Sequence, residues 1–344
     1  MLGTVLTALT ACSQRSIELS SPATLPQEKD TLRVGISPYP DMSILMNSKN
    51  LGLDKKYGIS LEFLIMPWED LLPAVASAGQ GVDIAFVSLS DYLAKEKNLN
   101  SSGDDPVLFI YPSWSFHGGG FMTFNDAVPE INAQSINNQD AIRKFLRFRF
   151  GVQRHSCNHM LLWALARKAG IKLSAISMTD ITFNDAVLAA ENGTVDIAGI
   201  GQQMEALNGH GRVVLTMDTA RIADMAGFIC KKSVYAKRKK EINAFIKIWF
   251  DCVNYVLNDI DHHSTVALAW LKSNASTPYT IDQFKRALSR EYFPKSAKDV
   301  QEEMISNKGR FSIEEAGNLC NQYLIDAGAI KSAEPIPQII TVQQ

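Results

Sequence analysis

The sequence lacks an excess of charge of either sign. Its 344 residues carry 34 Lys and Arg against 36 Asp and Glu, which leaves a formal net charge of −2 at pH 7. Binding to nucleic acid or to an anionic membrane draws on a positive field, so this balance argues against partners of that kind. Cysteine is also scarce, with five in the chain, and this argues against a disulfide scaffold. The four cysteines in the body of the chain fit no zinc spacing, and the sequence chooses none of their three possible pairings: Cys157, Cys230, Cys252 and Cys320.

Long apolar runs are absent too, since none approaches the roughly 18 to 20 residues that span a bilayer. A short apolar segment at residues 2–11 ends at Cys12, and its closing Leu-Thr-Ala-Cys resembles a bacterial lipobox. We therefore expect residues 1–12 to be a lipoprotein signal peptide that ends at lipidated Cys12. Residues 13–30, rich in Ser, Pro, Gln and Thr, would be a flexible tether. The alternative is a chance cysteine after an apolar start, because no Lys or Arg precedes the run.

From residue 31 the chain alternates short β-branched runs with helical stretches, which is typical of parallel sheets with crossover helices. The pattern occurs twice. Val-Asp-Ile-Ala stands at 82–85 and again at 195–198, and Gly-Ile stands at 58–59 and again at 170–171. The repeat predicts two similarly built lobes. Loops at the carboxyl ends of the strands would line a cleft between them.

The predicted strands have short apolar or β-branched cores, and they lie at 32–37, 61–66, 83–87, 107–111, 148–153, 175–180, 196–200, 213–217 and 227–231. The helical patterns that follow lie at 239–257, 264–273, 281–292 and 313–327. The expected organisation is lobe 1 from 31–115 plus 218–335, lobe 2 from 116–217, and a loose tail at 336–344.

Four phrases carry a resemblance to a known family: residues 32–36, 51–59, 78–85 and 189–196. In this order and spacing they resemble the solute-binding proteins of ABC importers, in the branch that serves sulfonates, nitrate, taurine and thiamine-precursor pyrimidines. The resemblance implies an α/β, two-lobed periplasmic-binding-protein-like fold of type II, with a mixed, mostly parallel sheet flanked by helices in each lobe. It also implies two chain crossings, which would fall near 111–117 and 216–220.

The family implies a lipid-anchored receptor on the periplasmic or cell-surface side of a bacterial membrane. Such a receptor is monomeric, closes its lobes on a small polar organic solute and delivers it to an ABC permease with its ATPase. No cofactor, metal, catalytic residue or nucleic-acid partner is expected. Two alternatives use the same fold: a ligand-sensing domain, and an enzyme similar to thiamine-pyrimidine synthases that would employ His117, His155 and His159.

In lobe 1 the candidate ligand contacts follow the predicted strands. Tyr39 and Trp68 have apolar ring faces suited to a flat ligand or an alkyl chain. Ser88 and Ser90 stand at the start of a predicted helix, whose free N–H groups can hold an anion. The alternative for either aromatic residue is a place in the core or between the lobes.

The phrase at 113–120 holds two aromatic residues, a histidine and three glycines. We expect Trp114, His117 and Gly118 to touch the ligand, because glycine lets the backbone bend and approach closely. The alternative is a hinge that only needs freedom.

In lobe 2 a strand is predicted to end and a helix to begin at residues 153–158. Arg154, His155, Ser156 and Asn158 would there hold a polar group against the helix N-terminus. His155 and His159 share one helical face, a spacing that permits a metal, but zinc sites need a third and a fourth ligand. Exposed or capping histidines are the simpler interpretation.

Further contacts are expected from residues that the internal repeat places opposite the lobe 1 candidates. These are Asn184, Gln202 and Gln203, whose amides read both donors and acceptors and so favour a polar neutral or zwitterionic solute over nitrate. Asp218, at the second crossing, either pairs with a ligand amine or caps a turn.

Overall fold

The computed structural model describes residues 31–77, 81–101, 103, 105–207 and 209–342. Cys12 and the expected tether lie outside the described residues. Within these ranges no helix is both long enough and apolar enough to cross a membrane.

The strands are short and mostly buried, and in chain order they are β1 Thr31–Ile36, β2 Ser60–Ile65, β3 Ile84–Ser88, β4 Val107–Phe116, β5 Gly120–Thr123, β6 Phe150–Val152, β7 Met178–Asp180, β8 Ile197–Ile200, β9 Arg212–Thr216, β10 Asp224–Lys231 and β11 Glu291–Tyr292.

The helices are α1 Pro40–Ser43, α2 Asn47–Asn50, α3 Leu53–Tyr57, α4 Trp68–Ala76, α5 Leu89–Asn100, α6 Gln139–Phe145, α7 Cys157–Ala169, α8 Phe183–Glu191, α9 Met217–Ala220, α10 Lys232–Lys237, α11 Lys239–Asn258, α12 Ile260–His263, α13 Thr265–Asn274, α14 Ile281–Ser289, α15 Ala297–Asp299 and α16 Ile313–Asp326. Tighter 3₁₀ turns lie at Ile44–Met46, Leu173–Ala175 and Gln202–Met204, and a π-helical stretch at Val300–Ile305.

The strands form two mixed sheets, as the internal repeat predicts. The sheet of lobe 1 has the order β11-β4-β10-β3-β1-β2, and the sheet of lobe 2 has the order β7-β6-β8-β5-β9. In lobe 1, β1 is parallel to β2 and β3, while β10 is antiparallel to β3 and β4. In lobe 2, β6 is parallel to β7 and β8, while β5 is antiparallel to β8 and β9. Each lobe therefore has the same arrangement around its central strand.

The repeated Val-Asp-Ile-Ala phrase has the same structural task in both lobes. The carboxylate of Asp83, just before β3, accepts the backbone N–H of Arg33 at 2.8 Å. The carboxylate of Asp196, just before β8, accepts the backbone N–H of Arg149 at 2.9 Å. Each aspartate thus joins the start of one central strand to its parallel neighbour.

The core of lobe 1 is an aromatic cluster between the sheet and helix α11. Phe86 lies 5.0 Å from Phe228, 5.4 Å from Trp114 and 5.6 Å from Trp249 between ring centroids. Trp114 stacks on Phe293 at 6.1 Å. Such edge-on and offset contacts are the favourable geometries for aromatic rings. They anchor the strand that leads out of lobe 1 toward the first crossing.

Strand β4 is longer than predicted, and this moves the first crossing. The strand continues through Pro112 to Phe116, and the chain crosses at residues 117–119 before β5 begins. Pro112 fits because β11 pairs only with residues 115–116 of β4, so the proline lies on a free edge. Strand β5 was not predicted because it begins with Gly120. A Cβ there would lie 2.4 Å from the carbonyl oxygen of Leu215, so the glycine permits the pairing.

Two expectations for the C-terminal part are wrong. The predicted helix at 281–292 ends at Ser289, and residues 291–292 form β11. The tail at 336–342 is not loose: the backbone N–H of Ile340 donates to the carbonyl of Ile110 at 3.0 Å, and Ile336 packs on the core. The tail settles there because the outer edge of β4 has unpaired backbone groups and apolar side chains to cover.

Candidate functional site

A cavity of about 60 Å³ lies between the two lobes. Each lobe supplies part of its wall, mostly from loops that follow the parallel strands. Lobe 1 contributes Tyr39, Asp41, Trp68, Ser88, Asp91, Trp114, Phe116, Asp224 and Ala226. Lobe 2 contributes Gln153, Arg154, Ser156, Cys157, Phe183, Gly201 and Gln202. We refer to this space as the interlobe cavity.

Aromatic rings form most of its apolar wall. The rings of Tyr39 and Trp68 are 6.5 Å apart and tilted by 53°. Trp114 and Phe116, at the end of β4, and Phe183, at the start of α8, complete the wall. Burial raises the pKa of the Tyr39 hydroxyl, which therefore remains protonated at neutral pH. The wall offers flat apolar faces with few polar groups between them.

Asp41, in the first turn of α1, presents a buried carboxyl group to the cavity. Its Oδ1 accepts the backbone N–H of Met42 at 2.7 Å, and its Oδ2 accepts the side-chain amide of Gln202 at 3.2 Å. Gln202 belongs to lobe 2, so this bond joins the lobes. Burial raises the pKa of Asp41 to about 6, against the opposing effect of these two hydrogen bonds.

Asp224, the first residue of β10, is the second buried carboxyl group. Its Oδ1 accepts the backbone N–H of Met225 at 2.8 Å, and its Oδ2 accepts the hydroxyl of Ser90 at 2.5 Å. Burial raises its pKa to about 6 as well, although the Ser90 bond acts in the opposite direction. Both carboxyl groups are ionised for the most part at neutral pH.

The N-terminus of α7 closes the lobe 2 side. Ser156 is the capping residue: its hydroxyl accepts the backbone N–H of His159 at 3.4 Å and donates to the carbonyl of Gln153 at 2.7 Å. Arg154 lies at the rim, where its Nε is 3.3 Å from Asp180 and its side chain is 55% exposed. The guanidinium is thus already paired at the surface.

The structure brings seven of the predicted site residues to the interlobe cavity: Tyr39, Trp68, Ser88, Trp114, Arg154, Ser156 and Gln202. Two more, Asn184 and Gln203, line an adjoining groove that shares Tyr39 and Trp68 with the cavity.

The six other predicted residues lie outside the cavity wall: Ser90, His117, Gly118, His155, Asn158 and Asp218. The hydroxyl of Ser90 donates a hydrogen bond to the carboxylate of Asp224. Asn158 is fully buried, and neither its amide nitrogen nor its oxygen has a hydrogen-bond partner within the part of the chain that the structure describes.

The first crossing has its own contacts. The Nε2 of His117 lies 3.0 Å from the hydroxyl of Ser115, and its Nδ1 lies 3.6 Å from Asp218. Burial lowers the pKa of His117, so the ring is neutral at neutral pH. Gly118 lies beside Phe116 and Glu291. These residues belong to the connection between the lobes.

The two histidines near the start of α7 take part in a packing contact. His155 lies before the capping residue Ser156 and outside α7, so the expectation that His155 and His159 share one helical face is wrong. The Nδ1 of His159 lies 2.7 Å from the hydroxyl of Tyr323 on α16 and accepts the backbone N–H of His155 at 3.3 Å. Burial lowers the pKa of His159 to about 4. His155 has a positive φ of 62°, an uncommon conformation outside glycine. No group of three His, Cys, Asp or Glu side chains suited to a metal occurs among the residues that the structure describes.

Sequence reasoning missed both buried carboxyl groups. Asp41 lies in the loop that supplied Tyr39 as a candidate, and its position after Tyr-Pro was a usable signal. Asp224 carries no such signal, because it opens a strand whose predicted start was residue 227. Gln153, Cys157 and Phe183 were missed beside chosen neighbours.

Comparison with solved structures places this geometry among known folds. The aliphatic sulphonate binding protein SsuA of Escherichia coli is 15% identical with a TM-score of 0.62, over 88% of this chain and 95% of that chain. SsuA of Xanthomonas axonopodis pv. citri, bound to MOPS, is 13% identical with a TM-score of 0.65, over 91% and 97%. A Candida albicans protein described as having the generic periplasmic binding protein fold is 14% identical with a TM-score of 0.64, over 92% and 98%. The chain has the periplasmic binding protein fold. No family model and no curated protein sequence matches it.

This periplasmic binding protein fold carries direct polar contacts between its lobes outside the cavity. Glu205 of lobe 2, with a side chain 4% exposed, accepts Nε of Arg286 at 2.8 Å and Nε of Arg290 at 2.7 Å. We call these three residues the Glu205 clasp. In addition, the indole N–H of Trp163 on α7 donates to Asp326 at the end of α16 at 2.9 Å. These contacts join the two lobes directly.

Proposed function

We propose that the protein is the solute-binding component of an ABC importer, which captures a small polar organic solute between its lobes and delivers it to a permease. The observation that carries the proposal is the interlobe cavity, whose wall is contributed by strand-end loops of both lobes. A solute that touches both walls stabilises the closed arrangement, and this differential contact is what drives a hinge motion. Solved structures of the same fold include sulfonate-binding and nitrate-binding proteins.

In this proposal the hinge is formed by residues 117–119 and 217–223, where the chain passes between the sheets. Tyr39, Trp68, Trp114 and Gln202 make the central solute contacts. The protein acts as a monomer and performs no chemistry. His117, His155 and His159, which the alternative of a cofactor-dependent enzyme would employ, are not among the described residues that line the interlobe cavity.

The proposal includes a lipid anchor at Cys12 that holds the protein on the outer side of a bacterial membrane. The support is the Leu-Thr-Ala-Cys phrase and the polar segment after it. The test is fractionation of cells that express the full chain: the protein should remain with membranes, and Cys12→Ser should release it into the soluble fraction. Equal fractionation of both proteins would refute the anchor.

The test of solute binding is a thermal-shift screen with organic amines, sulfonates, pyrimidines, amino-acid derivatives and nitrate. A solute at about 100 times its dissociation constant adds roughly 2.7 kcal/mol to the free energy of unfolding. A solute that binds should also reduce the radius of gyration. Uptake of that solute by cells should be lost when the neighbouring permease is deleted, whereas a sensor would leave uptake unchanged.

A further inference from the structure

We propose that the interlobe cavity is built for a small organic cation with N–H donors, a primary ammonium group on an apolar body. The inference rests on the proposed function, because it names the class of solute held in that cavity. The geometry that carries it places the carboxyl groups of Asp41 and Asp224 and the free amide oxygen of Gln202 along aromatic walls.

The two carboxyl groups have no countercharge beside them among the described residues. In the described ranges, every hydrogen-bond partner of Asp41 and Asp224 is a neutral group: backbone N–H groups, the Ser90 hydroxyl and the Gln202 amide. Arg154, the one basic side chain among the described residues of the cavity wall, is paired with Asp180 at the rim. A third carboxylate of the wall, Asp91, is already paired with Lys95 at 2.8 Å. Two buried carboxyl groups thus face the cavity without a cation.

Apart from Arg154 at the rim, the described neighbours of these two carboxyl groups supply no positive charge. Six of these neighbours are acids whose pKa values are raised by burial. Tyr39, Tyr279 and Glu291 lie around Asp41, and Cys157, Cys320 and Tyr323 lie around Asp224. Because the pKa of each aspartate is about 6, both are mostly ionised at neutral pH. A buried carboxylate without a cationic partner is unfavourable, and a bound cation removes that cost.

Two amide oxygens in the cavity wall also lack donors in the described part of the chain. The Oε1 of Gln202 has no hydrogen-bond partner among the described residues, and this cavity-lining residue is only 5% exposed. The Oε1 of Gln153, also in the wall, is buried and unpartnered. Both atoms are acceptors, so they need N–H or O–H donors from the solute. A primary ammonium group supplies three such donors, whereas a sulfonate or nitrate supplies none and a quaternary ammonium group supplies no N–H.

The aromatic wall favours the same class. Tyr39, Trp68, Trp114, Phe116 and Phe183 offer ring faces that attract a desolvated cation and pack against an apolar body. The cavity is small, with a volume of about 60 Å³. The solute is therefore a compact amine with one cationic end.

The test uses two matched series of probes on the full chain: butyl and benzyl compounds that carry an ammonium, a hydroxyl, a sulfonate or a trimethylammonium group. Calorimetry and thermal shift at pH 7.5 should show binding of the primary ammonium compounds, with at least tenfold weaker binding of the other three heads. Absence of any ammonium binding, or preference for the sulfonate, would overturn the inference.

The variants Asp41→Asn and Asp224→Asn keep the side-chain shape and should each weaken ammonium binding by at least tenfold. The matched control is Asp251→Asn, which removes a carboxylate bonded to Lys56 and Tyr57 on the surface of lobe 1 and should leave binding unchanged. Below about pH 6 the affinity for the ammonium probe should fall, and in the two variants this pH effect should shrink. Unchanged affinity in both folded variants would overturn the inference.

These outcomes separate the two proposals. If a sulfonate or a neutral solute binds the wild-type protein and closes it, the importer function stands and the cation class fails. If no solute of any class in the wider screen binds or changes the radius of gyration, the proposed function fails with it.

Discussion

The Glu205 clasp allows a quantitative prediction about the balance between closed and open forms. Glu205→Gln keeps the side-chain shape but removes the negative charge that two arginines share. The variant retains one acceptor oxygen, so one of the two charge-assisted bonds is replaced by an amide N–H that faces a guanidinium. We expect the closed form to lose stability relative to the open form, while each lobe remains folded.

The magnitude follows from burial and geometry. Hydrogen bonds to charged groups contribute about 1.5–3 kcal/mol each when buried. Glu205 is buried, but the side chains of Arg286 and Arg290 are 48% and 28% exposed and recover water when released. We therefore expect a net loss of about 2 kcal/mol, which corresponds to a roughly thirtyfold shift toward the open form.

The assay is small-angle scattering of the solute-free protein, with solute titrations in parallel. Glu205→Gln should have a larger radius of gyration than wild type and weaker apparent solute affinity, because part of the binding free energy then closes the lobes. The control is Glu302→Gln, the same substitution in a surface pair with Lys298 at 3.7 Å, where both side chains are more than half exposed. Surface pairs contribute little. If both variants scatter as wild type does, the clasp does not hold the lobes together.

Other predictions concern stability. Burial raises the pKa of Asp41 and Asp224 from 3.8 to about 6, so ionisation of either group opposes folding above pH 4. Asp→Asn at either position should therefore add about 3 kcal/mol to the free energy of unfolding at pH 8 and little at pH 4. Urea denaturation at the two pH values measures this difference. Trp114→Ala should lower the free energy of unfolding by about 3–5 kcal/mol, because the Trp114 ring is 1% exposed and packed among aromatic rings. Trp68 is only half-buried at the cavity, so Trp68→Ala should lower stability less but abolish the solute-induced thermal shift. Cys252, free and fully buried, should react with a thiol reagent only after denaturation; rapid native reaction would contradict its placement.

The repeat made much of the fold predictable. Asp83 and Asp196 occupy the same position in the two copies of the repeat, and each accepts a backbone N–H that joins the same pair of parallel strands in its lobe. The repeated motif therefore reflects a hydrogen bond that the fold requires. Strand β5 was not predicted because three consecutive glycines, Gly118, Gly119 and Gly120, are also typical of a flexible hinge. The structure shows that Gly120 is needed for close approach to the backbone of β9. The sequence alone does not distinguish a glycine that gives the backbone conformational freedom from a glycine that is needed because other atoms lie too close for a Cβ.

The cavity was predictable in position but not in charge. Strand ends located Tyr39, Trp68, Ser156 and Gln202 without any structure. The two carboxyl groups were not visible together, because Asp41 and Asp224 come from distant parts of the chain and line the same cavity only once β10 has taken its place in the sheet of lobe 1. A single aspartate after a turn is otherwise read as a solvent-exposed or capping residue.

The placement of β10 has a consequence for the order in which the protein forms. All five strands of lobe 2 lie between residues 120 and 216, whereas the sheet of lobe 1 needs β10, from Asp224–Lys231, between β3 and β4. During synthesis from the N-terminus, the first four strands of lobe 1 therefore emerge with a gap in their sheet. Lobe 2 becomes complete before that gap is filled. The sheet of lobe 1, whose first strands are synthesised first, is thus completed last. Until then the edges of β3 and β4 are unpaired, and a chaperone would be needed at these edges while the chain is still growing.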